Sequence, residues 1–207
     1  MKDTQKYEKD LASIRTLIER AVKFISLSGL SGVMAGIYAL GGAITTYFVI
    51  QYPVSPFQYR VSSVQDPEVL LKLIIIASVV LLASISTGLW LTNIKAKRNG
   101  VPLWNASSKR LLLSMIVPLI TGGIFILIIL YTGHFGLAAP ASLIFYGLAL
   151  IQASDITFDE VRYLGFSEII VGLLSATMPG YGLIFWALGF GVLHIVYGTI
   201  LYNKYDK

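Results

Sequence analysis

The chain contains no cysteine, which excludes a disulfide framework, thiolate metal ligands and a cysteine nucleophile together. Histidine is nearly absent as well, with only His134 and His194. Charge is scarce: Asp, Glu, Lys and Arg make up 13% of the residues, about half the usual share in soluble domains. The motifs that mark enzyme sites are missing too. There is no H-E-x-x-H, no G-x-S-x-G and no phosphate-binding loop. Gly189-Phe190-Gly191 begins like a dinucleotide fingerprint, but no strand pattern precedes it. These absences predict no catalytic residue, no metal site and no cofactor.

Apolar length is abundant. Hydrophobic residues make up 56% of the 207 and the mean hydropathy is +0.74, well outside the soluble range. The charges lie between the apolar runs and in the first 23 residues, so the runs themselves can sit in hydrocarbon. A bilayer core needs about 20 helical residues. Six segments meet that length or approach it, at about 25–50, 69–94, 111–131, 136–153, 158–178 and 181–202. The fold expected is an all-α membrane protein, a bundle of six transmembrane helices within a membrane domain over 24–203, with a short tail at 204–207. The run at 25–50 is too long for a signal-peptide core and reads as a retained span.

Orientation follows from the basic residues. With the N-terminus cytoplasmic, the inner segments hold 14 of the 16 Lys and Arg, leaving Arg60 and Lys72 outside. That asymmetry predicts both termini inside, at the cell membrane. It also assigns the net charge of +5 to topology rather than to nucleic acid.

Residues 1–23 form an amphipathic helix in this reading. Tyr7, Leu11, Ile14, Ile18, Ala21 and Ile25 step by three and four along one face, with Glu8, Arg15 and Glu19 elsewhere. Such a stripe lies on the lipid bilayer or packs against another helix, whether of this chain, a second subunit or another protein. Inside the first span, Ser28, Gly32 and Gly36 continue through Ala39 and Ala43 as a small-residue seam, the kind that lets helices approach in lipid. Gly172 and Gly191 supply similar positions in the fifth and sixth spans. Pro118, in the third, is expected to kink its helix.

One stretch carries the candidate chemistry. The uninterrupted apolar part of the fifth run, Ile169 to Met178, is too short to cross a bilayer, so its helix must begin earlier. Thr157 followed by Glu160 resembles a capping box, and a start at Phe158 places Glu168 near the membrane midplane. A carboxyl there costs several kcal/mol and is a functional-site candidate by default. With Pro179-Gly180 as a tight turn, residue 168 lies level with about residue 192 on the returning helix, so His194 falls within one turn of it. Asp159, Arg162, Asp155 and Glu160 then form a charged mouth on the inner side. Two readings follow. Glu168 and His194 are a proton- or ion-responsive pair, since histidine titrates near neutrality, or they are a polar tie between two helices. At the level of the whole chain, the first makes it an ion, proton or small-solute conduit or sensor. The alternative is a non-catalytic scaffold or accessory subunit that binds partners through its N-terminal helix.

Overall fold

The computed structural model describes residues 28–50 and 67–207, and there it is built from helices and turns without strand. The N-terminal amphipathic stripe and the loop with Pro53 and Pro56 lie outside the described residues. Helix α1 spans Gly29–Ile50, α2 Pro67–Arg98, α3 Ala106–Tyr131, α4 Ala138–Ser154 and α5 Asp159–Thr177. The last, α6, runs over Gly182–Tyr205. It is α-helical at each end, with a π-helical segment, Ala187–Leu193, between.

Local chemistry sets the boundaries. Helix α2 begins at Pro67, whose missing N–H costs nothing in a first turn. It continues past the expected end at 94 through Arg98 and stops where Gly100 turns left-handed, with φ +67°. Asn105 caps α3 by accepting from the Ser108 N–H, and Ser108 Oγ accepts from the Asn105 N–H in return. Pro118 lies buried inside α3, which runs through it as one helix. The turn at Pro179-Gly180 is present, Gly180 having φ +95°. The capping box expected at Thr157 is not. Phe158 occupies the N-cap position without a side-chain bond, and the Thr157 hydroxyl donates to the Ala153 carbonyl at the end of α4. Thr157 ends one helix instead of starting the next.

Among the described residues five helices are long and apolar enough to cross a membrane: α1, α2, α3, the Phe135–Ser154 segment that includes α4, and α6. Helix α5 is not among them, because Asp159, Glu160, Arg162 and Glu168 load its 19 residues with charge. It is shielded instead. Its buried face, Val161, Leu164, Gly165, Glu168, Val171, Gly172 and Ser175, lies against α4 and α6. Helix α1 packs on α6, α2 lies outside α1, and α3 lies outside α4. The outer helices present wide apolar surface, with Leu82, Leu113 and Leu127 each more than 60% exposed. Surface of that kind is a liability in water and at home in acyl chains.

The α1–α6 contact is a crossing of glycines. A Cβ on Gly36 would fall 2.6 Å from the Gly191 carbonyl oxygen, and one on Gly198 would fall 2.5 Å from the Val33 nitrogen. Backbone approach of that closeness gives van der Waals contact that lipid does not otherwise favour. Gly32, beside Gly198, belongs to the same seam. Gly172 does not: it faces Leu143 and Ile144 of α4.

At the end of the bundle where α1 starts and α2 and α6 finish, Asp206 gathers three helices. One carboxylate oxygen accepts from Ser28 Oγ and from the Gly29 N–H, both at 2.9 Å, and the other pairs with Lys95 Nζ at 2.5 Å. The anion sits at the positive end of the α1 dipole. Beneath it Phe158 stacks on Tyr205 at 4.0 Å, over a cluster of Leu150, Ala153, Val161, Leu164 and Leu201. The last residues are therefore a tie and not a loose tail. Asp206→Asn weakens the bond to Lys95 and the cap of α1, with an expected loss of about 2 kcal/mol. The measurement is the thermal unfolding midpoint in detergent micelles; an unchanged midpoint contradicts this account of the tie.

Candidate intramembrane polar site

Three helices each place one polar side chain near their middle. Glu168 is the tenth of the 19 residues of α5, about 14 Å from either end. His194 lies midway along α6, and Tyr146 midway along α4. Glu168 has 0% relative exposure. Two glycines stand against it. Its Cβ lies 3.1 Å from where a Cβ on Gly147 would stand, and its Oε2 lies 2.5 Å from where one on Gly189 would stand. Gly147 and Gly165 in turn bring the α4 and α5 backbones together, each facing the other's carbonyl oxygen.

The imidazole of His194 is held on both sides. Its Nδ1 lies 3.1 Å from the Gly189 carbonyl oxygen and its Nε2 2.9 Å from the Tyr146 hydroxyl. A carbonyl oxygen only accepts, so Nδ1 carries the hydrogen and, in the neutral ring, Nε2 accepts from Tyr146. Nδ1 also approaches Glu168 Oε1 to 3.3 Å. That is ion-pair range, but the N–H is directed at Gly189, and neither Glu168 oxygen receives a hydrogen bond. Geometry at the ring decides between the two descriptions: the carboxyl is close to the imidazole and unbonded. Ser175 Oγ, two turns further along the same face of α5, is also buried without a partner. Tyr146 and Phe190 pack against the ring, at 5.3 and 5.9 Å between centroids.

The π segment makes this arrangement. In an α-helix, residues five apart point about 140° away from each other. The wider π turn closes five residues on, so Gly189 and His194 face the same side. Gly191 turns to α1, meeting Leu40 and the Gly36 carbonyl, while Gly189 faces Glu168.

The remaining expected residues lie elsewhere. Arg162 donates to Asp155 Oδ1 at 2.5 Å and to Ser154 Oγ at 3.1 Å, at the junction of α4 and α5. It is six residues from Glu168, or about 9 Å along the helix. Asp159 begins α5, further out still. Neighbouring Glu160 pairs with Lys204 at 2.6 Å and accepts from the Tyr205 hydroxyl. The charged mouth is thus a set of helix-end ion pairs, and Arg162 and Asp159 are not part of the buried site. Ser28 bonds Asp206 in the tie described above. His134 sits exposed in the α3–α4 turn, bonded to Thr132. Among the described residues no three His, Asp or Glu side chains gather as metal ligands.

Sequence reasoning missed Tyr146 and Gly189. A tyrosine in mid-span, away from the interfaces where its ring usually sits, was the available signal for the first. Nothing in the sequence marks the π turn that brings in the second.

A methyl group at Gly189 would strike Glu168 Oε2 and, closer still, Leu143 Cδ2. Gly189→Ala is therefore expected to destabilise the protein by about 1–3 kcal/mol, read as a lower unfolding midpoint in detergent. Gly41→Ala, where a Cβ meets nothing within 4 Å, is the control. Equal midpoints for the two variants contradict the packing described. No protein-family model matches the chain, and no curated protein or solved structure does so either.

Proposed function

We propose that the chain is a non-enzymatic, multi-pass protein of the cell membrane that conducts or senses protons or small cations at the Glu168–His194–Tyr146 site. In this reading all six helices cross the bilayer, α5 included. Both termini lie inside, since the helix ends around Asp206 carry Lys95, Lys97, Arg98, Lys109, Arg110, Arg162 and Lys204, against Lys72 at the opposite end.

The observation that carries the proposal is the buried carboxyl with both oxygens unbonded. A charge left so costs several kcal/mol, and the group is satisfied only by taking a proton, a cation or a rearranged neighbour. His194 stands 3.3 Å away and can take a proton at one nitrogen while giving one from the other. Tyr146 links the far side of the ring to α4. A carboxyl, an imidazole and a phenol in that order form a short relay across three helices.

The test uses the full chain in proteoliposomes with an imposed pH gradient, read by an internal pH dye and repeated with Na⁺ or K⁺ gradients. Wild type is expected to pass protons or the cation in a pH-dependent way, and Glu168→Gln to fall to the level of protein-free vesicles. Flux that is the same in both removes the proposal.

A second reading, a scaffold or accessory subunit, is favoured by the outer surface of α2, which packs on α1 and leaves its spanning part unburied. On that reading the N-terminal stripe recruits a protein partner or a second copy. Ile14→Glu with Ile18→Glu is then expected to abolish co-purification of the partner or to shift the oligomeric state. Retention of both by the double variant removes the stripe from that role.

A further inference from the structure

The connection between α2 and α3 carries charge that no carboxylate among the described residues answers. Lys97 and Arg98 end α2, and Lys109 and Arg110 stand at the start of α3. From Lys95 to Arg110 there is no Asp or Glu. Lys95 is drawn inward to Asp206. The other four are exposed, and among the described residues no carboxylate pairs with them.

These cations are held on a fixed frame. The Gly100 N–H bonds the Lys97 carbonyl and the Val101 N–H bonds the Ala96 carbonyl, the paired bonds of a Schellman end. Pro102 follows, its carbonyl accepting from Asn105 Nδ2. The reciprocal Asn105–Ser108 cap then starts α3 at once. The connection is thus pinned by hydrogen bonds at both ends, and the four side chains are presented with little backbone entropy left to lose on binding.

Position and electrostatics select the ligand. Lys97 and Arg98 suit the negative end of the α2 dipole, but Lys109 and Arg110 oppose the positive end of α3, so an anion beside them relieves both the mutual repulsion and the dipole conflict. Trp104 is 61% exposed with Lys109 Nζ 5.9 Å over its ring, a pairing typical of the headgroup level. Immediately beyond it, Leu89, Trp90, Leu112 and Leu113 are exposed on the spanning faces of α2 and α3, where acyl chains would lie. The geometry points to a binding site for anionic phospholipid at this connection, the phosphate bound by Lys97, Arg98, Lys109 and Arg110 and the chains lying along α2 and α3.

Full-length protein in neutral detergent is titrated with phosphatidylglycerol, phosphatidylcholine or inorganic phosphate. Retained lipid is read by native mass spectrometry and stability by the unfolding midpoint. Phosphatidylglycerol is expected to be retained and to raise the midpoint, less so at high salt. The variant Lys97→Gln, Arg98→Gln, Lys109→Gln, Arg110→Gln should lose that response, with affinity lower by on the order of tenfold or more. The double variant Lys109→Gln, Arg110→Gln carries the same test if the quadruple one fails to fold. Lys204→Gln, which removes a cation paired elsewhere, should leave the response intact. The inference is overturned if phosphatidylcholine or inorganic phosphate acts as strongly as phosphatidylglycerol, or if the charge-depleted variants respond like the wild type.

Discussion

Close backbone contact at glycine is the constraint on which this bundle depends. Within lipid there is no hydrophobic force to press one apolar helix on another, so association rests on packing and on a few polar bonds. The chain meets that condition where Gly36 lies on Gly191, where Gly198 lies on Val33, and where Gly147 and Gly165 face one another between α4 and α5. The last contact also builds the polar site. A carboxyl reaches 0% exposure in mid-helix because the neighbouring backbones, with Gly147 on one side and Gly189 on the other, come near enough to exclude everything else. Larger side chains there would push the helices apart and open the carboxyl to lipid or water.

The polar bonds are divided between the two levels of the molecule. At the charged end, Asp206, Glu160 and Asp155 each find a cation and fix the helix termini. The Arg162–Asp155 pair is exposed, where solvent lowers the cost of its charges and also its worth, whereas the Lys95–Asp206 pair is largely buried. At mid-depth the bonding is incomplete. His194 is satisfied at both nitrogens, whereas Glu168 and Ser175 are left with buried, unpartnered oxygens. Native interiors rarely leave such groups, and each one asks for an explanation. A purely structural tie between α5 and α6 would be expected to close the 3.3 Å gap between Oε1 and Nδ1 with a bond, and this one does not. The asymmetry between a finished rim and an unfinished centre is the observation on which the proposed role of Glu168 rests.

Much of the architecture was legible because hydropathy and helix punctuation are local. Apolar runs, Pro67 at a helix start, and glycines at the turns near 100, 133 and 180 mark the helices to within a few residues. The meeting of Glu168 with His194 was legible as well, since two antiparallel helices about one turn leave little freedom in register. What could not be read depended on contacts distant in sequence. Asp206, 111 residues from Lys95, has no local sign of being an anchor. Thr157 carries the letters of a helix cap, yet the preceding helix claims its hydroxyl. The span count divides for a related reason. Helix α5 has four ionisable residues because α4 and α6 shelter it, and composition alone cannot register shelter.

The π segment of α6 shows why periodicity failed at the centre of the site in particular. The wider turn adds what α-helical spacing would withhold: Gly191 and Gly198 lie on α1, and Gly189 comes round to His194, offering both a carbonyl to Nδ1 and clearance to Oε2. A π turn gives up well-formed α-helical bonds and persists only where surroundings hold it. Here the surroundings are the glycine seam on one side and the carboxyl on the other.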